Sequence, residues 1–205
     1  MFSAILDTCV LWPSLQRDFL LSLAVEGLYR PLWSEAILEE LEYHESQKLV
    51  ERHSVVDGVA AARAARLVDR MRTSFGDALV VGWESLEGSY GLPDPDDEHV
   101  VAAAVVGGAG AIVTYNLKDF PATKVPSSIQ VLAPPEFLLN TASVDPARAL
   151  RAVSEISSRS GRSGPARTAD WVLDALAERY DLNAVVSLMR EYSSQGDPPC
   201  AGGIA

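Results

Sequence analysis

Short apolar runs alternate with longer amphipathic stretches along this chain. "SAILDT" (residues 3–8) is an apolar run closed by an acid, the pattern of a buried parallel strand. After Pro13, Leu15, Phe19, Leu20 and Leu23 recur at helical spacing, and Gly27 supplies a stop. "LYRPLW" (residues 28–33) predicts a second short strand. Ser34 then stands as the N-cap of a helix over "SEAILEELEYHESQKLVE", with Ile37, Leu38 and Leu41 on its inner face. Residues 58–75 predict a further helix with Val59, Ala62, Leu67, Val68 and Met71 as its apolar positions. "ALVVGW" (residues 78–83) fits either a strand or a buried helical turn. Asp97 to Val106 reads as a helix ended by Gly107-Gly108, and "AIVTYN" (residues 111–116) and "IQVL" (residues 129–132) read as strands. Strands alternating with helices predict an α/β class with a central, mainly parallel sheet.

The pattern changes after "LAPPEFLLN". Residues 145–158 and 169–192 are helix-like and are joined by the Ser/Gly/Arg-rich "SRSGRSGPAR". The chain is therefore expected to hold a main domain over residues 1–140 and a small helical C-terminal extension over 141–192. The tail, residues 193–205, is expected to be disordered. Trp171, Leu173, Leu176, Leu182, Val185, Val186 and Leu188 are the apolar positions of the extension, with Trp171 and Leu176 read as core.

Composition adds limits. No apolar run reaches the ~18–20 residues of a membrane span. "MFSAILDTCV" lacks a basic start and carries Asp7 inside its apolar stretch, which argues against a signal peptide. A cytoplasmic location without membrane contact is the expectation. Cys9 and Cys200 form no disulfide framework or metal-ligand spacing. The net charge of −11 excludes a generic basic nucleic-acid coat protein. Residues 1–140 hold 20 acids against 10 Lys and Arg, and residues 141–205 hold 8 against 7, so the acidity belongs to the main domain. Either it only solubilises, or part of it binds divalent cations.

The acids fall at informative places. Ligands of a parallel α/β sheet bind beyond the carboxyl ends of its strands. Asp7 ends the first strand, Asn116 ends "AIVTY", and Asp119 follows three residues on. Asp97 opens the helix that feeds that strand, and Glu40 lies one residue before inward-facing Leu41. Carboxylates brought together need a compensating charge, and a hard divalent ion with oxygen ligands supplies it. Each acid also has a plainer reading as a turn residue, helix cap or solvated face. Within "DPDDE" (residues 94–98), Asp94 and Asp96 read as turn acids, and Glu98 is expected to point to solvent, about 100° around the helix from Asp97.

Taken in order, "ILDTCVL", "SEAILEELE", "DPDDEHVVAAA" and "AIVTYNLKDFP" resemble the PIN-domain ribonucleases, in particular VapC-type toxins of toxin–antitoxin pairs, over residues 1–135. Residues 75–84 and the helical extension are similar to segments of longer members. The resemblance implies a three-layer α/β/α PIN-like domain and a Mg²⁺- or Mn²⁺-dependent endoribonuclease. Asp7 and Asp97 would be the main metal ligands, and Glu40 would complete the acidic pocket directly or through water. Asn116 stands where many members carry an acid. Its amide oxygen can reach a metal but adds no charge, and Asp119 is close enough to substitute. The implied partners are an RNA substrate and a cognate antitoxin. Three roles are open to the extension: shielding the sheet, supporting a homodimer, or contacting the antitoxin.

Further residues carry two readings each. The hydroxyls of Thr8 and Thr114 either orient carboxylates or water, or bond local backbone. Arg63, Arg66 and Arg70 share one side of a helix, where they either bind phosphates or antitoxin acids, or are simply solvated. Arg17, Arg30 and Trp33 are further candidates for the rim of the cleft. His44 and His53 read as exposed helix residues. A phosphatase of the haloacid dehalogenase type also begins with a strand-end Asp, but Cys9 stands where that chemistry wants its second acid. A PIN-like scaffold that binds a partner without cutting is the non-enzymatic alternative, and Asn116 is the feature that favours it.

Overall fold

The computed structural model describes residues 2–161 and 164–195. Its elements, in order, begin with β1 (Ser3–Leu6), α1 (Thr8–Leu11), α2 (Ser14–Val25), β2 (Arg30–Ser34) and α3 (Glu35–His53). They continue with α4 (Asp57–Ser74), β3 (Leu79–Val80), α5 (Glu98–Val106), β4 (Ala111–Val113) and β5 (Gln130–Leu132). The last are α6 (Pro134–Val144), α7 (Pro146–Arg159), α8 (Ala169–Tyr180) and α9 (Asn183–Ser194). The described residues divide into two compact units, one within Met1–Arg17 and Tyr29–Pro134, the other within Asp18–Leu28 and Pro135–Ala205.

The first unit is built on a five-stranded sheet in the order β3-β2-β1-β4-β5, with every neighbouring pair parallel. Flanking helices make it the α/β/α arrangement expected of a chain in which strands and helices alternate. The central strand is apolar through its length: Ala4, Ile5 and Leu6 are buried, as both faces of a parallel sheet require. The order sets the functional edge. The chain steps outward through β2 and β3 on one side of β1, then returns to build β4 and β5 on the other. Ligands of open α/β sheets bind where the strand order reverses. In this sheet that place lies beyond the carboxyl ends of β1 and β4, whose register pairs Leu6 with Val113.

Local chemistry explains the boundaries. Ser34 caps α3, its hydroxyl accepting the Ile37 N–H at 3.2 Å, and Ser54 ends that helix in the left-handed region. Ile37, Leu38 and Leu41 are buried as their spacing predicts. The predicted face of α4 is shifted: Ala60, Ala64, Val68 and Met71 are buried, whereas Val59 and Ala62 are exposed. Small alanines at this face let α4 lie close against α3, which is its main partner. Helix α5 packs on β1, β2 and β4, and Gly107 at its end makes the fit possible. A Cβ there would stand 2.7 Å from Val80 Cγ2 and 3.1 Å from Leu32 Cδ1. The 78–83 segment resolves to a strand, and β4 stops at Val113, short of the predicted Asn116.

In the second unit, α7, α8 and α9 pack on one another. The single helix expected over 169–192 is two helices, because Asp181 takes a left-handed conformation (φ 56°) and turns the chain. The stretch before the expected boundary at 140, to which the sequence assigned no element, opens a helix: Pro134 occupies the first turn of α6, where a missing N–H costs nothing. Leu176, Leu182, Val185 and Val186 are buried as expected, while Trp171 is only half-buried, with Arg167 4.1 Å and Arg179 5.3 Å above its ring. Arg151 pairs with Glu26 at 3.0 Å, and Arg159 donates to the Ser22 hydroxyl at 2.9 Å, which fastens the 18–28 segment to α7. The expectations for the end of the tail and for Cys200 lie outside the described residues. Among the described residues no helix is long and apolar enough to cross a membrane.

Candidate active site

Asp7 stands between β1 and α1, with its N–H bonded to the Val113 carbonyl at 3.1 Å, so the last sheet bond fixes its backbone. Its side chain is 5% exposed and makes no cap bond to α1. The carboxylate is instead oriented from across the sheet. Thr114, the residue after β4, donates its hydroxyl to Oδ2 at 2.6 Å, and the Cys9 thiol donates to the same oxygen at 3.0 Å. Thr114 Oγ1 also accepts the Asn116 N–H at 2.9 Å, and Cys9 Sγ accepts the Tyr115 N–H at 3.2 Å. Burial, and then the Asp7 charge, push the Cys9 thiol up to about 12, so it remains a neutral donor. Both donors converge on Oδ2, and among the described residues Oδ1 accepts no side-chain bond.

Asp97 closes a single 3-10 turn, Pro95–Asp97, and precedes α5. This position would suit a helix cap, yet its side chain caps nothing. Asp94 does the local turn work, its Oδ1 accepting the Asp96 N–H at 3.0 Å. Asp97 is half-buried, and its carboxyl is pushed up to about 6 by burial and then by the charges of Asp7, Asp94 and Asp119, with His99 opposing. Two of these acids, Asp7 and Asp119, come from separate stretches of chain, and Asp94 belongs to the same turn.

Glu40, on α3, is held at both oxygens. The Thr8 hydroxyl donates to Oε2 at 2.6 Å, and His99 Nε2 lies 3.2 Å from Oε1. Burial alone would raise its pKa, but the His99 and Thr8 bonds outweigh burial and hold it below the usual carboxylate range. Thr8 has a further bond, at 3.3 Å, to the Ile37 carbonyl. Asn116 is exposed and leads into the 3-10 turn Leu117–Asp119, where the Asp119 N–H bonds the Asn116 carbonyl at 2.9 Å. Asp119 is half-buried, and its charge reaches Asp97.

The oxygens available here are carboxylate and amide oxygens, the donor set of a hard divalent cation. Asp7 Oδ1 and the uncapped Asp97 are the groups whose neighbours leave them open to one. The donors therefore fit such an ion chemically. They do not form a closed cage in this arrangement: among the described residues no three His, Cys, Asp or Glu side chains are grouped to hold a metal.

The remaining candidates lie elsewhere. Arg63, Arg66 and Arg70 are exposed along α4, and the one bond among them is from Arg70 Nε to the Arg66 carbonyl. Among the described residues no hydrogen bond or ion pair ties them to the carboxylates. The rim candidates are structural. Arg17 is buried, bonded to the Leu11 carbonyl at 2.7 Å and 3.7 Å from Glu45. Arg30 pairs with Asp77 at 2.9 Å, and Trp33 is fully buried edge-on to Phe75.

Two residues next to Asp97 were not legible as the structure has them. Glu98 does not face solvent. It is 3% exposed and accepts the N–H groups of Tyr90 and Leu92 at 2.9 Å each. Burial would raise it, but those N–H groups, with Gly91 and Gly88, dominate and hold it below its ordinary value. It latches the loop that delivers Asp97. His99 is 5% exposed, against Trp83 and Glu40. A lone imidazole in the otherwise apolar "HVVAAAVV" was the available signal.

A protein-family model described as PIN domain matches residues 3–118, which contain Asp7, Glu40, Asp97, Thr114 and Asn116. No curated protein and no solved structure matches the chain.

Proposed function

The chain belongs to the PIN domain family, whose members are in general nucleases, and on that premise we propose that it is a divalent-metal-dependent endoribonuclease. The observation that carries this reading is Asp97. Its carboxyl stands at the N-cap position of α5 yet caps nothing and, among the described residues, is in no ion pair, while burial and the charges of Asp7, Asp94 and Asp119 disfavour its ionised form unless a cation compensates. Asp7 and Asp97 would hold the ion, with Asp119 and the Asn116 amide oxygen as further oxygen donors and Glu40 completing the pocket. Mg²⁺ or Mn²⁺ bound there would neutralise the carboxylates and polarise water and the phosphodiester for hydrolysis.

The chain's own groups do the positioning. Thr114 and Cys9 fix Asp7 through Oδ2 and so present Oδ1. Glu98 ties down the loop before α5, which sets where Asp97 stands. Thr8 and His99 hold Glu40. The RNA preference, the toxin role and neutralisation by a cognate antitoxin follow from the similarity of the four motifs to VapC-type toxins, as do a nuclease domain over residues 1–140 and an extension over 141–192 that serves partner contact or homodimerisation. Arg63, Arg66 and Arg70, exposed along α4, are the proposed phosphate contacts.

The test is cleavage of a mixed RNA pool by the full chain with Mn²⁺. Cleavage is expected from the native protein and is lost in Asp7→Asn and Asp97→Asn variants that remain folded. Full activity in either variant overturns the ligand assignment. A second reading, a PIN-like scaffold that no longer cuts, is favoured by Asn116 and by the open carboxylate cluster. Calorimetric titration with Mn²⁺ separates the two: no binding in the millimolar range, together with no cleavage, selects the scaffold.

A further inference from the structure

The residues of α5 from Glu98 to Val106 are apolar except for the first two, and His99 is the second. An imidazole buried at this depth costs desolvation that an apolar residue would avoid. Its Nδ1 has no partner among the described residues, so this cost is offset on one side of the ring only. That side is Nε2, aimed at Glu40 Oε1 at 3.2 Å, while the ring leans on Trp83 at 5.9 Å.

The connectivity gives the contact its meaning. Glu40 is held by two donors, and each is chained to one of the principal acids. Thr8, which takes Oε2, directly follows Asp7, and His99, which takes Oε1, lies two residues beyond Asp97. The two segments that bring the acids to the sheet edge therefore also fix the carboxylate supplied by α3.

We propose that His99 is a positioning residue for the metal-dependent reaction: its Nε2–H, with the Thr8 hydroxyl, fixes the Glu40 carboxylate where it completes the acidic pocket. The contribution of Glu40 to ion binding passes through His99. This inference rests on the proposed nuclease reading, and its test has an arm that does not.

In His99→Leu the donor is gone and the volume is kept apolar. In His99→Gln an amide N–H returns near the level of Nε2. Mn²⁺ titration of the metal-free full chain is expected to show a loss of roughly 10–100-fold for His99→Leu, the range for removal of a group that orients a ligand. His99→Gln is expected to recover most of it. The double variant Glu40→Gln/His99→Leu should lose no more than Glu40→Gln alone, because the two side chains act as a unit. If His99→Leu does not fold, His99→Asn replaces it, since its amide ends at the level of Nδ1 and falls short of Glu40. The metal-free arm is the ring ¹⁵N spectrum of His99, which should show the proton on Nε2 and shift in Glu40→Gln. Native affinity in His99→Leu, additive losses, or a ring spectrum indifferent to Glu40→Gln overturns the proposal. If the native protein binds no Mn²⁺, the nuclease reading falls, and the ring spectrum alone decides whether His99 holds Glu40.

Discussion

Asp97→Asn should make the metal-free protein more stable while it removes activity. The Asp97 carboxyl stands at about 6 against an ordinary 3.8, raised by burial and then by Asp7, Asp94 and Asp119. The difference between about 6 and 3.8 corresponds to ~3 kcal/mol of disfavoured charge. The residue is half-buried, so solvent screening reduces the figure to roughly 1–2 kcal/mol. The neutral amide keeps the shape and removes the repulsion. The pH dependence has a definite sign. Between about 4 and 6 the folded state holds a proton on Asp97 that the unfolded state has released, so this group makes stability fall as pH rises through that window. The gain of the variant is therefore full above pH 6 and vanishes below about pH 4.

Urea unfolding of both proteins in EDTA at pH 7.5, 5 and 4 measures this. The variant is expected to be ahead by roughly 1–2 kcal/mol at pH 7.5 and level at pH 4. Mn²⁺ should then reverse the order, because only the native site is stabilised by binding, by about 2.7 kcal/mol at a hundredfold excess over Kd. A variant that is less stable than the native protein at pH 7.5, or one whose advantage persists at pH 4, refutes the argument that the acids are strained against one another.

Glu98→Gln replaces a carboxylate that accepts two backbone N–H groups by an amide whose NH₂ faces one of them, and should cost about 1–3 kcal/mol in urea unfolding, with faster hydrogen exchange at Tyr90 and Leu92. Because the folded Glu98 carboxyl lies below its ordinary value, its contribution is present at neutral pH and is lost as pH falls through the folded value. Gly107→Ala sets a methyl 2.7 Å from Val80 and 3.1 Å from Leu32 and should lower stability by about 1–3 kcal/mol, read as a fall in Tm. Thr114→Val removes the donor to Asp7 Oδ2 at nearly constant volume, and Mn²⁺-dependent RNA cleavage should fall roughly 10–100-fold with the fold retained.

The alternation of apolar strands and amphipathic helices was enough to reach the α/β class, because a buried parallel strand has no polar face to disguise it. Boundaries slipped where tertiary contacts decide. The exposure of Val59 and Ala62 depends on α3 preferring the alanine face of α4, a choice that periodicity alone does not rank. The break at Asp181 needed a left-handed residue that was not glycine. The Pro134 start of α6 was hidden because proline reads equally as a linker and as a first turn.

The same contrast runs through the acids of "DPDDE". Position in sequence separated Asp97 from its neighbours, since it alone opens the helix feeding β4, and its isolation from local capping bonds bears on why it was worth separating. Glu98 escaped because the helical-wheel argument places a side chain on a face without saying what covers that face. The loop from residue 84 to 97 folds over it and presents backbone N–H groups, which turns an apparently solvated acid into a buried anchor. His99 escaped for the converse reason: a histidine among valines and alanines reads as core until its partner is known, and that partner, Glu40, lies 59 positions earlier in the chain. The five consecutive positions thus divide the work. Asp94 turns the chain, Glu98 anchors the loop, and the Asp97 carboxylate caps nothing, which is the condition a carboxylate must meet to be free for an ion.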